Sequence, residues 1–149
     1  MAEGDGFVYD IFKGDVMKGL LNLHSGGDTL KLMLVNGYTP NIKTHVNYAS
    51  VSGSEYGAGL GYTVTGETVT GQTVTVDTAN DRGVLDAADV TWTSLGTLSP
   101  AIPSDCILYD DTPTSPADPL IAYWELGVTS TNGGNYTIQW GANGIILLT

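Results

Sequence analysis

The sequence predicts a mainly β protein: an antiparallel β-sandwich or open β-barrel with one short N-terminal α-helix. One stretch carries much of that expectation. From Gly57 to Trp92 the chain reads GAGLGYTVTGETVTGQTVTVDTANDRGVLDAADVTW, where Thr and Val suit a pleated, half-buried sheet and Gly and Asn-Asp mark the turns. The rest of the chain adds short apolar alternations separated by turn signals every ~8–12 residues. Only one segment, Asp15 to His24, has the spacing of a helix. With 149 residues and no linker-like composition, the chain reads as a single domain, long enough to bury roughly 70% of the surface its unfolded form exposes.

The elements follow in order. Residues 1–14 form either an extended arm or a continuation of the helix, with Phe7, Tyr9 and Phe12 as its apolar positions. In DVMKGLLNLH, Asp15 is the expected N-cap, Val16, Leu20 and Leu23 share a face, and Ser25-Gly26-Gly27 is the stop. Gly19 inside it costs ~1 kcal/mol relative to Ala, so packing on a sheet must stabilise this helix. The β-sandwich is expected over 29–149. It begins with Thr29 to Val35, where Leu30, Leu32 and Leu34 point one way into a fully buried face and Lys31, Met33 and Val35 the other. Asn41 to Tyr56 is polar and irregular, a long surface loop with Tyr48 and Val51 as anchors and room for one short strand. Within Tyr62 to Asp77 the fragments TVTG, TVTG and TVTV recur at five-residue spacing, too short for a solenoid unit. Strands broken near Gly66 and Gly71 account for them. Asn80-Asp81-Arg82-Gly83 marks a hairpin loop, followed by strands over Gly83 to Asp86 and Asp89 to Leu95. The last strands are Asp105 to Tyr109, Leu120 to Leu126, Tyr136 to Trp140 and Ile145 to Leu148. The Pro-rich TPTSPADP loop and Thr131-Asn132-Gly133-Gly134 separate them.

Composition narrows the function classes. Five basic residues against sixteen acidic ones give a formal charge of −11. Lys13, Lys18, Lys31, Lys43 and Arg82 are scattered, whereas a duplex binder needs clusters that displace counterions from phosphates. Nucleic acid and anionic membranes are therefore not expected as partners. No apolar run approaches the ~20 residues needed to span a bilayer, and the N-terminus has neither the basic region nor the continuous apolar core of a secretion signal. The single Cys106 reads as a small buried thiol, compatible with assembly in a reducing cytoplasm. The charge suits a self-repelling surface that keeps many copies apart in solution.

The constellations that could carry chemistry read as structural ones. Asp77, Asp81, Asp86 and Asp89 form the densest acidic cluster. However, an EF-hand register anchored on Gly83 puts Thr78, Asn80 and Arg82 at ligand positions, and arginine cannot ligate calcium. Hairpin-turn and strand-end acids are the expectation, with an irregular calcium site as the alternative. Asp110 and Asp111 read as turn-forming residues. No acid pair sits in the apolar setting that a glycosidase would use to raise one pKa. His24 and His45 lack a zinc spacing, Ser52, Ser54 and Ser130 lack a nucleophile elbow, and Gly57, Gly59 and Gly61 belong to turns rather than a phosphate loop. Trp92, Trp124 and Trp140 lie in apolar alternation, which favours core packing over sugar stacking. No enzyme, metal or cofactor is expected.

Across most of its length the chain resembles a family of small tailed-phage virion proteins encoded among head genes. The matching residues are Tyr9-Asp10-Ile11-Phe12-Lys13 with Leu20-Leu21, Asp28 to Leu34, Tyr38-Thr39-Pro40, Gly61-Tyr62-Thr63 and the Thr-Val strands. They continue with Leu85 to Trp92, Ile107 to Asp111, Pro119-Leu120-Ile121, and Tyr136 to Trp140 through Gly144-Ile145. The chain departs from that pattern at Ser99 to Ser104 and in an enlarged loop around Gly53 to Leu60. The resemblance implies a non-enzymatic virion protein, made in the host cytoplasm, most simply a capsid decoration (cement) protein bound to the major capsid protein on the outer head surface. Capsid symmetry suggests a homotrimer. The alternatives are a tail or head-fibre component contacting host glycans and a free carbohydrate-binding module.

Overall fold

In a computed structural model, residues 6–96, 103–127 and 131–149 are described. They form a mainly β fold in which every named strand pair is antiparallel. The strands are β1 (Phe7–Val8), β2 (Leu30–Val35), β3 (Glu67–Thr68), β4 (Thr73–Asp77), β5 (Arg82–Asp86) and β6 (Val90–Trp92), followed by β7 (Asp105–Asp110), β8 (Leu120–Glu125), β9 (Tyr136–Ile138) and β10 (Ile146–Leu148). The largest sheet runs β1-β8-β7-β2-β3, and two smaller sheets, β10-β5-β4 and β6-β9, face it.

The alternation in TLKLMLV predicts the faces of β2. Leu30, Leu32 and Leu34 enter the sandwich core with Cys106 and Leu108 of β7, and with Leu85, Val90, Trp92, Ile138 and Ile146 from the small sheets. Met33 and Val35 point the other way, yet they are fully buried too. Ile107 and Tyr109 of β7 share that second face, and Tyr9, Tyr38, Tyr48 and Val51 cover it. The 41–56 segment, expected as a surface loop, thus supplies the outer layer of the fold. Its regular element is a helix rather than a strand: α2 (Tyr48–Val51) starts at a capping box in which Asn47 and Ser50 satisfy each other's backbone N–H groups, and a 3-10 turn (Ser52–Ser54) follows. In β8 a register shift places both Ile121 and Ala122 in the sandwich core, a bulge that lets two consecutive residues face one way.

The N-terminal helix is displaced from its predicted place. It spans Asp10–Met17, and here called α1, so Asp15 is not its N-cap but a buried residue inside it, 3.3 Å from Lys18 Nζ. Tyr9, in extended conformation, precedes the first turn. Phe12 is buried and Val16 half-buried, the i, i+4 pair that fixes α1 against the sandwich core. Lys18 caps the C-terminus, and Gly19 at φ +69° turns the chain out of the helix. Leu20 to Leu23 are therefore irregular, with Leu21 and Leu23 packed on the core from outside a helix. The arm-or-helix question resolves into both, since Phe7 and Val8 pair with Tyr123 and Ala122 of β8 before α1 begins.

One carboxylate ties the outer layer to the sandwich. Glu55 Oε2 accepts from Tyr48 Oη at 2.5 Å, and its Oε1 accepts from Tyr62 Oη at 2.8 Å and from the Thr65 N–H at 2.6 Å. Three donors from three places converge on one charged acceptor. Glu55→Gln removes the charge and turns an amide N–H₂ toward donors, so it should lower stability by ~1–2 kcal/mol. A thermal melt checks this, and an unchanged midpoint would show that the network contributes nothing net.

Candidate contact surface

The sheet β10-β5-β4 joins the core at one end only. In its register Val74 and Ile146 lie opposite Leu85, while Val76 and Leu148 lie opposite Gly83. Leu85 and Ile146 are buried in the sandwich core. One step further along the hairpin, the same face carries Val76 at 78% exposure and Leu148 at 45%. Between them Gly83 has no side chain, and a Cβ there would meet nothing within 4 Å. The result is a notch walled by two exposed aliphatic side chains, with Val74, 51% exposed, beside it. A half-buried strand would hide this face. Here the hairpin overhangs the core, and the Thr-Val pattern that usually signals burial presents valines to solvent.

The opposite face is mixed, with Val84 and Leu147 beside its polar side chains. Thr75, Asp77, Arg82 and Asp86 line an open depression of about 470 Å³ with Asn143 at its rim. Asp77 Oδ2 accepts from Arg82 Nε at 2.9 Å and from Asn80 Nδ2 at 2.7 Å. The Asn80 bond, with the Arg82 charge behind it, holds the Asp77 carboxyl below the usual range. The acids expected at turns and strand ends are engaged there. Asp86 Oδ1 accepts from the Ala87 N–H, Asp89 Oδ1 from the Trp140 N–H, and Asp81 occupies the turn at φ +51°. Among the described residues no group of three or more His, Cys, Asp or Glu is placed to hold a metal ion.

The other singled-out residues resolve as follows. Cys106 is fully buried, and that burial, with the Asp105 charge second, pushes its thiol well up. Trp92 and Trp124 are buried, and half-buried Trp140 packs on Trp124 at 5.1 Å while its Nε1 donates to the Ala88 carbonyl. His24 lies in an exposed turn against Ser25. His45 Nδ1 meets both the Asn41 N–H and Tyr38 Oη, which in turn meets Tyr9 Oη at 2.6 Å. Gly59 and Tyr62 exchange backbone hydrogen bonds across the glycine-rich turn. Four of the five basic side chains, Lys13, Lys18, Lys31 and Arg82, are each paired with a carboxylate, so no basic cluster forms among the described residues. No helix among them is long and apolar enough to cross a membrane. Ser130 and most of Ser99 to Ser104 lie outside the described residues.

Sequence reasoning missed two features. The first is the overhang at Val76 and Leu148, which becomes legible only once an Asp77–Arg82 closing pair puts Gly83 opposite Val76. The second is a carboxyl pair. Asp110, read as a turn residue, does accept the Thr112 N–H on Oδ1 at 3.1 Å, yet it is fully buried. Its Oδ2 meets no protein donor. It faces the Asp28 carboxyl, and the two can share a hydrogen bond only while one of them holds a proton. Burial comes first and the Asp28 charge adds to it, pushing the Asp110 carboxyl up to about 7. Comparison with protein-family models, with curated proteins and with solved structures finds no match for this chain.

Proposed function

We propose that this chain is a non-enzymatic virion structural protein: a capsid decoration, or cement, protein that binds the outer surface of an assembled phage head and stabilises it. The observation that carries the reading is the overhanging apolar face of Val74, Val76 and Leu148 around Gly83. Exposed aliphatic side chains grouped beside a side-chain-free notch fit a knob from a partner surface. The partner in this reading is the major capsid protein, and several copies of the chain occupy symmetry-related sites. A protein that binds the assembled shell better than its separated parts stabilises the shell by mass action, and engaging more than one capsomer at once adds avidity. The glycan reading draws less support, because the faces a sugar would stack on are taken: Trp92 and Trp124 are buried.

The test is reconstitution on heads stripped of this chain. Added wild-type protein is expected to restore survival to heat and osmotic shock, with labelled copies distributed evenly over the head. Val76→Asp, which alters a solvent-facing side chain, should fold normally yet lose binding at least tenfold, about 1.4 kcal/mol or more. Equal survival with and without the protein would remove the stabilising role. A signal confined to the tail would move the protein to the fibre.

A further inference from the structure

We infer that β4 pairs edge to edge with β4 of a second copy of this chain, antiparallel about Thr75, which merges two three-stranded sheets into one of six strands. This inference does not rest on the capsid reading. It starts from how the described sheets end. The large sheet ends in β1 and β3, of two residues each, and β10 has three. Among the described residues β4 is the longest terminal strand, with five residues, and no strand lies beyond it. Natural edges of that length are protected by lysines, prolines, bulges or inward-pointing charges. Thr73-Val74-Thr75-Val76-Asp77 carries none of the first three. Its single charge, Asp77, is taken up by Arg82 of the same hairpin.

The choice of a second copy follows from charge and symmetry. A chain of net charge −11 repels its own copies wherever carboxylates would meet. β4 is a strip where they need not, because its one carboxylate, Asp77, lies at its end and is already paired with Arg82. A two-fold axis at Thr75 places Val74 opposite Val76 of the other copy and Thr75 opposite itself, with Thr73 facing the other copy's Asp77. Like pairs of β-branched residues then meet on each face, and no two carboxylates oppose one another. A register moved so that Asp77 opposes Asp77 would lose pairs and bring carboxylates together. The chain already makes one such threonine pair internally: Thr91 and Thr137 meet across β6 and β9 with 2.8 Å between hydroxyls. Edge pairing leaves the Val76–Gly83–Leu148 notch uncovered, now in two copies along one continuous sheet. The symmetry is two-fold, where shell symmetry alone suggests three.

Cysteine crosslinking of the purified full chain tests the register. Directly opposed residues in an antiparallel pair have Cα atoms about 4.5–5.5 Å apart, within disulfide range. Under mild oxidation Thr75→Cys should form a covalent dimer, at least tenfold more than Thr73→Cys, whose thiol would face Asp77 of the other copy. The buried Cys106 does not compete. By sedimentation the wild type should be a dimer. Thr75→Lys sets two ammonium groups opposite each other on an exposed strand, so it should weaken that dimer at least tenfold without changing the melt of the monomer. A monomeric or trimeric wild type, a dimer indifferent to Thr75→Lys, or equal crosslinking at positions 73 and 75 would each overturn the pairing.

Discussion

Gly66→Ala should leave little folded protein at physiological temperature. Gly66 sits at φ +78°, where an L side chain is strained, and it lies against β2, an interior strand of the large sheet. A Cβ there would come within 2.2 Å of the Leu32 carbonyl oxygen and 2.7 Å of Met33 Cα. Both are backbone atoms of β2, whose ladders to β3 and β7 hold them in place. No side chain can rotate aside, so the strand must move. The conformational strain alone costs ~1–2 kcal/mol, and displacing β2 should bring the loss to ~4 kcal/mol or more, out of a total stability of about 5–15 kcal/mol. The melting temperature should fall by about 10 °C or more. Gly71→Ala is the internal control: its φ is +67°, but its Cβ would meet only Ala88, at an ordinary 3.6 Å. It should therefore show the strain without the collision. Equal losses at the two positions would show that the approach to Leu32 is not what requires glycine at 66.

That contrast also marks where the sequence is legible. Gly66 and Gly71 both read as breaks in a Thr-Val run, and both are, but nothing local distinguishes a glycine against a buried strand from one at an open turn. Strands β2, β7 and β8 are legible because each alternates or runs apolar between clear turn signals, and their boundaries agree closely with expectation. The helix is less so. Asp15, Val16, Leu20 and Leu23 make a plausible helical stripe, but Gly19 adopts the left-handed conformation that ends α1, and the stripe is split between helix and coil. The second face of the large sheet is covered by Tyr38, Ile42, Tyr48 and Val51, whose spacing follows neither helix nor strand periodicity, so no pattern announces them.

The candidate contact surface was hidden for a related reason. Thr-Val alternation reports that a strand has two unlike faces. It does not report whether the apolar face reaches the core. β4 and β6 look alike in the sequence, yet Trp92 of β6 is buried and Val76 of β4 projects past the end of the core. The difference lies in where the hairpin pivots. Leu85 and Ile146 anchor it, and everything beyond Gly83 overhangs. A structural role by contact and an edge-paired dimer both use that overhang, one through its apolar face and the other through its free backbone edge.

Stability should fall as pH rises from about 4 to 7, and Asp110 should be the residue responsible for the largest single part of that fall. The folded protein holds the Asp110 carboxyl up to about 7, against 3.8 for the free group, through burial and the facing Asp28, with Asp111 adding further negative charge. A group whose folded pKa is raised stabilises the fold in its protonated form. Its contribution is fully present below about pH 4 and is lost as pH climbs through about 7. For a shift of this size the loss is on the order of 2–4 kcal/mol. Asp110→Asn supplies permanently what the proton supplies: the amide can donate to the Asp28 carboxylate, which the Asn22 N–H already holds at 2.7 Å, and its carbonyl can still accept from Thr112. The variant should therefore match the wild type at about pH 4 and below and exceed it at pH 8. General repulsion in a chain of charge −11 also grows with pH, but it acts on both proteins and cancels in their difference. Urea unfolding of the two across this range reads that difference directly. Parallel stability curves would mean that Asp110 is ionised in the folded protein throughout, with its charge met by something other than a shared proton.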